Sequence, residues 1–191
     1  MNSKIYQIIK SKNKKKLVCL TAYSKPIAKI LDKFCDIVLV GDSLATAMYG
    51  MKNTHSVTLD TMIQHGVSVA SSINSAVCVV DMPAKSYKNV AIGKKNAKLI
   101  FKKTKCDAVK VECNGKNYDV ISAIVKSGIP VMGHIGFTPQ YYEAELELSL
   151  KREYSAVFSL FRYCVLTQDA TYLCNKLDLQ ALPETYFSDS V

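Results

Sequence analysis

The stretch that most constrains the fold is VLVGDS, Val38 to Ser43. Four consecutive apolar residues, Ile37 to Val40, closed by a glycine predict a strand buried on both faces, as in a parallel sheet covered by helices. Asp42 then stands at the strand's end. The pattern recurs in VCVVD, Val77 to Asp81, and in AVKVE, Ala108 to Glu112. Parallel α/β folds carry their chemistry in the loops after the carboxyl ends of strands. Asp42 or Asp81 alone is accounted for as a turn or helix cap. Three such runs bringing carboxylates to one edge predict a site for a hard cation such as Mg2+, which takes oxygen ligands and keeps positions open for substrate.

The rest of the chain alternates strand and helix. A short helix over Ile5 to Lys10 precedes an exposed lysine loop, Lys12 to Lys16, and a first strand over Leu17 to Ala22. Pro26 suits the first turn of a helix running to about Phe34, with Ile27, Ile30, Leu31 and Phe34 on one face. Leu44 to Ser56 reads as a long polar loop, of a length that points to function. Helices follow over Thr58 to Ser71, capped by Thr58, over Asn89 to Lys103, and over Asn117 to Lys126, the last stopped by Gly128 with Pro130 beyond. Val131 to His134 begins a fifth strand. Strand and helix repeated with short connections predict right-handed βαβ units and a parallel sheet.

Within AVKVE the period of two puts Ala108, Lys110 and Glu112 on one face and Val109 and Val111 on the other. The valines suit a helix layer, whereas Lys110 needs a partner if it is buried. A barrel interior would turn Lys110 and Glu112 toward the other strand ends; an exposed sheet face would leave them as a surface contact.

The chain has 191 residues, 49% hydrophobic and 21% charged, which suits a single globular core. A complete eight-stranded α/β barrel takes about 250 residues. The net charge of +9 rests on lysine, with Arg152 and Arg162 the only arginines. That composition predicts a solvated basic surface rather than a nucleic-acid interface, which favours arginine and interleaved aromatics. The seven cysteines show no metal-finger spacing, and no apolar run approaches a membrane span. Together with the absence of a signal sequence, this predicts reduced thiols and a cytoplasmic protein bound neither to membrane nor to nucleic acid.

The segments LTAYS, GDSLATAMYG, NTHSVTLDTMIQH, VVDMPA, VKVE and PVMGHIGFTPQ, in this order and spacing between about Leu17 and Gln140, closely resemble the ketopantoate hydroxymethyltransferase family. The resemblance implies a (βα)8 TIM-barrel fold of the phosphoenolpyruvate/pyruvate superfamily, here incomplete, with about five strands recognisable. It also implies Mg2+ as cofactor, 5,10-methylenetetrahydrofolate as co-substrate, and 3-methyl-2-oxobutanoate as the substrate converted to ketopantoate in pantothenate biosynthesis. Carried onto this sequence, Asp42, Asp81 and Glu112 would serve the metal, and Asp42, Ser43, Asp81 and Lys110 the oxo acid. The family also implies a homo-oligomer. His134 is a candidate active-site residue, equally accounted for as a hydrogen-bonded histidine at a strand end; His55 suits a loop and His65 a helix surface.

The family's glutamate base, in an LECVP-like strand followed by a GIGAG-like stretch, has no counterpart in the 191 residues. All eight glycines lie at or before Gly136, and both arginines lie after Gln140. Residues 1–140 therefore read as the amino-terminal part of the barrel domain and 141–191 as a non-matching tail. The tail reads either as frameshifted sequence or as a replacement segment, with an edge strand over Glu143 to Leu150 and a helix over Tyr154 to Leu166. Two functions follow: an enzyme of the ketopantoate-forming type, or a non-catalytic remnant or association-only subunit.

Overall fold

The computed structural model describes residues 3–12, 14–135 and 138–141, together with the backbone of a strand at 165–167. Strands β1 (Cys19–Thr21), β2 (Ile37–Val40), β3 (Val77–Asp81), β4 (Ala108–Glu112) and β5 (Val131–His134) lie side by side in chain order, all parallel. Helix α1 (Ser3–Lys10) precedes them. Helix α2 (Lys25–Leu31) follows β1, α3 (Leu44–Ala47) and α4 (Leu59–Ala70) follow β2, α5 (Val90–Thr104) follows β3, and α6 (Tyr118–Lys126) follows β4. A last strand, β6 (Val165–Thr167), pairs antiparallel with β5. Consecutive parallel strands joined by helices make this a partial α/β barrel.

Local chemistry sets the helix ends. Thr58 Oγ1 accepts the Thr61 N–H at 3.1 Å and Asn89 Oδ1 accepts the Ile92 N–H at 2.9 Å, each satisfying a donor that the first turn leaves free. Gly128, at φ 86°, follows α6 in the left-handed conformation that ends a helix. Asp32, just after α2, accepts N–H groups from Asn74, Ser75 and Ala76 and so ties α2 to the turn entering β3.

The sheet buries both faces. Val38, Val40, Cys78, Val80, Val109 and Val111 pack into the helix-side core. On the opposite face Ile37, Leu39, Val77, Val79, Ala108 and Met132 form a second cluster, sealed by Ile5 of α1. Alternation carries that inner face on to Asp81, Lys110, Glu112 and His134 at the carboxyl ends of the strands. The barrel interior is thus apolar in its lower part and ionised at its rim.

Three expectations need correction. The apolar face expected of a helix running to Phe34 is only partly covered, and α2 ends at Leu31: Ile27, Ile30 and Phe34 are 48%, 57% and 72% exposed, while Leu31 packs against the core and Ala28 is fully buried. The cause is position. The helix packs against α4, and on the β1 side Val18 and Leu20 are also exposed. The segment Leu44 to Ser56 is not wholly loop, because its start forms α3, which buries Leu44 and Ala45. The tail edge strand over Glu143 to Leu150 lies outside the described residues, as does the tail helix over Tyr154 to Leu166 except at its end, where Val165 and Leu166 belong to β6 instead.

Candidate active site

The carboxyl ends of β2 to β5 bring Asp42, Asp81, Lys110, Glu112 and His134 together, all buried to within 6% exposure or less. Residue pairing along the strands sets this arrangement, Asp81 lying opposite Lys110 and Glu112 opposite His134. Lys110 Nζ donates to Asp81 Oδ1 at 2.8 Å and Oδ2 at 2.7 Å. The Asp42 N–H points at Asp81 Oδ2 at 3.3 Å, linking the first acid to the second. Lys110 therefore lies in the interior with a partner, and the exposed-face alternative falls away.

Ser43 is exposed at the rim, where its Oγ lies 2.8 Å from the Tyr23 hydroxyl. Gly41 makes room for it, since a Cβ there would stand 2.8 Å from Ser43 Oγ. His55 reaches Pro139 O at 2.9 Å from its loop. His65 departs from the expected helix surface: half-buried, it lies 2.6 Å from Tyr23 O and 2.8 Å from Tyr49 OH, and so braces the end of β1.

Electrostatics at the rim are unbalanced, with three carboxyl groups facing one ammonium. Burial pushes Asp81 up to about 7 against the pull of Lys110. Burial also pushes Glu112 up to about 7, again opposed by Lys110. Desolvation pulls against the charge on Lys110, yet Asp81, Asp42 and Glu112 outweigh it and hold the ammonium protonated. Burial, followed by the positive charge of Lys110, lowers His134 to about 4, so its imidazole is neutral at physiological pH. Its Nδ1 lies 3.4 Å from Glu112 Oε1 but outside hydrogen-bonding geometry, so among the described residues neither ring nitrogen has a hydrogen bond. A buried neutral imidazole without partners is available to a ligand.

Gln140 has no role in the sequence reading, although it closes the PVMGHIGFTPQ motif. Its Nε2 donates to Asp42 Oδ2 at 2.7 Å and to Met82 O at 3.0 Å, and its backbone N–H to Glu112 Oε2 at 2.9 Å. The Tyr87 hydroxyl donates to Gln140 Oε1. Tyr23, likewise missed, stands two residues beyond a strand end, the rule that identified Asp42. No local signal marks Gln140, since its partners come from three other strand ends. Beyond Gln140 opens a cavity of about 340 Å³ whose charged lining is Lys85, Lys88 and Lys116, with no carboxylate.

The donor set suits Mg2+ in kind, being hard carboxylate oxygens in excess over the one cation beside them. Among the described residues no three His, Cys, Asp or Glu side chains converge on a single point, and the oxygens of Asp81 and Asp42 are engaged by Lys110 and Gln140. Such a set fits a cation held by one or two carboxylates and completed by water or substrate, rather than a closed protein cage.

These buried polar groups lie at the carboxyl ends of parallel βα strands, the face on which α/β barrels carry their active sites. Among solved structures, a 2,3-dimethylmalate lyase, described as a PEP mutase/isocitrate lyase superfamily member, matches with a TM-score of 0.54 at 15% identity, over 78% of this chain and 58% of that one. An oxaloacetate acetylhydrolase matches with the same TM-score at 13% identity. The ketopantoate hydroxymethyltransferase family model matches residues 2–169, and the chain belongs to that family. Relatives named 3-methyl-2-oxobutanoate hydroxymethyltransferase include one from Pelagibacter ubique, 51% identical over 140 residues, covering 73% of this chain and 54% of the relative. Another, from Anaplasma marginale, is 48% identical over 138 residues, 72% of this chain and 50% of the relative. The chain thus spans about half the length of these curated relatives.

Proposed function

We propose that the chain binds 3-methyl-2-oxobutanoate with Mg2+ at the rim of the half-barrel, the site at which hydroxymethyl transfer from 5,10-methylenetetrahydrofolate would yield ketopantoate. The observation that carries this reading is Lys110, buried and paired with Asp81 while Asp42 and Glu112 leave negative charge in excess. Asp42 and Asp81 would hold the cation, with Glu112 completing its acidic surroundings. When bound, the cation would stabilise negative charge developing on the keto oxygen of the oxo acid. Ser43 would donate a hydrogen bond at the open side, and Lys110 would set a fixed positive charge beside the substrate carboxylate. The lysine-lined cavity beyond Gln140 suits the carboxylate-bearing end of the folate co-substrate.

Removal of the C3 proton needs a base within hydrogen-bond reach. Glu112, pushed up to about 7, is better matched to that task than His134 at about 4. Glu112 is nevertheless held by the Gln140 N–H, and weakened general-base catalysis costs roughly a hundredfold to ten-thousandfold. Residues 1–140 would accordingly bind substrate, with slow turnover at best. The exposed apolar side of α2 and β1 supports association with further copies of the chain. No described helix is long and apolar enough to cross a membrane.

The test is binding of the oxo acid to the full chain by ligand-observed NMR, with and without Mg2+, followed by solvent deuterium exchange at C3. Mg2+-dependent binding with little exchange is expected. No binding under either condition refutes the site; exchange at an ordinary enzymatic rate shows that Glu112, though held by the Gln140 N–H, or His134 serves as the base.

A further inference from the structure

We infer that Gln140 is a latch on the acidic rim, a positioning residue whose carboxamide occupies Asp42 Oδ2 and would withdraw for Mg2+ to take that oxygen. The inference rests on the metal reading of the rim given above. Every polar atom of this side chain is committed. Its two amide hydrogens go to Asp42 Oδ2 and Met82 O, its oxygen takes the Tyr87 hydroxyl, and its backbone N–H holds Glu112 Oε2. One residue thus joins the ends of β2, β3 and β4 from a segment 98 residues away from Asp42.

The chemistry of the contact makes it a competitor. A carboxamide N–H carries a partial positive charge, so it satisfies a carboxylate oxygen in a buried site where water is scarce. It cannot neutralise that oxygen as a dication would. A ligand that favours the withdrawn arrangement has to displace these bonds, and its apparent affinity falls by the fraction of molecules in which the latch is closed. Tyr87 sets that fraction from the other side of the carboxamide, because its buried hydroxyl holds Oε1 and fixes the amide's orientation.

A purely structural role and a latch predict opposite signs. Were Gln140 present to orient Asp42 for the metal, its truncation would weaken metal binding; as a competitor, its truncation strengthens it. The experiment is titration of the full chain with Mg2+ alone, by calorimetry, for the native protein, Gln140→Ala and Tyr87→Phe. Gln140→Ala keeps the backbone bond to Glu112 and is expected to bind Mg2+ about tenfold more tightly, as expected for a latch closed about nine-tenths of the time. Tyr87→Phe frees only one end of the carboxamide and is expected to fall between, which keeps the test open should the alanine variant fail to fold. A second readout is the side-chain NH2 resonance of Gln140, expected to move on addition of Mg2+. Binding by the native protein with equal or weaker binding by both variants overturns the latch alone. No Mg2+ binding by any of the three overturns the metal reading and the latch together.

Discussion

Replacing Lys110 by Met would keep the aliphatic stem and remove the charge that the rim is built around. Lys110 Nζ lies within 2.8 Å of both Asp81 oxygens, and both residues are buried. Removing one partner of a buried ion pair typically costs about 3–5 kcal/mol, because the remaining charge is left uncompensated. Here the remaining charge can be discharged. Burial already brings Asp81 to about 7 with the lysine present, and losing the ammonium raises it further. A carboxyl whose folded pKa lies above its unfolded value binds more protons in the folded state, so stability falls as pH rises through the interval between the two. The destabilisation by Lys110→Met is therefore expected to reach about 3–5 kcal/mol near about pH 8 and to shrink to about 1 kcal/mol near about pH 5, where Asp81 is protonated. Urea unfolding followed by far-ultraviolet circular dichroism at the two pH values measures both. A loss below about 1 kcal/mol that is equal at both would show a solvated lysine and refute the buried rim.

Two further outcomes test the packing. Gly93 lies where α5 meets α6, and a Cβ there would stand 2.5 Å from Val120 Cγ1; Gly93→Ala is expected to cost about 1–3 kcal/mol by overpacking, with part recovered in Gly93→Ala/Val120→Ala, and an unchanged melting temperature in the single variant would contradict this contact. Ile30 and Phe34 present apolar surface beside the uncovered β1 side; Ile30→Ser/Phe34→Ser is expected to reduce self-association in light scattering coupled to size exclusion, and a native protein already monodisperse as a monomer would remove the reason for it.

Strands β2, β3 and β4 were legible because each combines a short apolar run with an acid at or just past its end, as expected of strands buried on both faces. The period of two places Lys110 and Glu112 on one face, and the interior pairing with Asp81 follows from that face being inward. Helix ends were legible from local chemistry at Thr58 and Gly128, whereas the cap that Asn89 supplies is seen only in the structure.

What was not legible depends on neighbours distant in sequence. The apolar stripe of α2 has the right period for an inward face, yet periodicity reports only that a face is apolar, and whether another element covers it is decided by the sheet's edge. Gly93, a weak residue for a helix by propensity, is required by the approach of α6. Gln140 carries no signal of its own, since a glutamine near a proline is unremarkable until three strand ends converge on it. Local period and burial fix the succession of strands, the alternation of faces within each strand and the supply of acids. Which acid meets the lysine, which imidazole lacks a hydrogen bond among the described residues and which side chain closes the rim depend instead on the register between strands and on segments brought together across the chain.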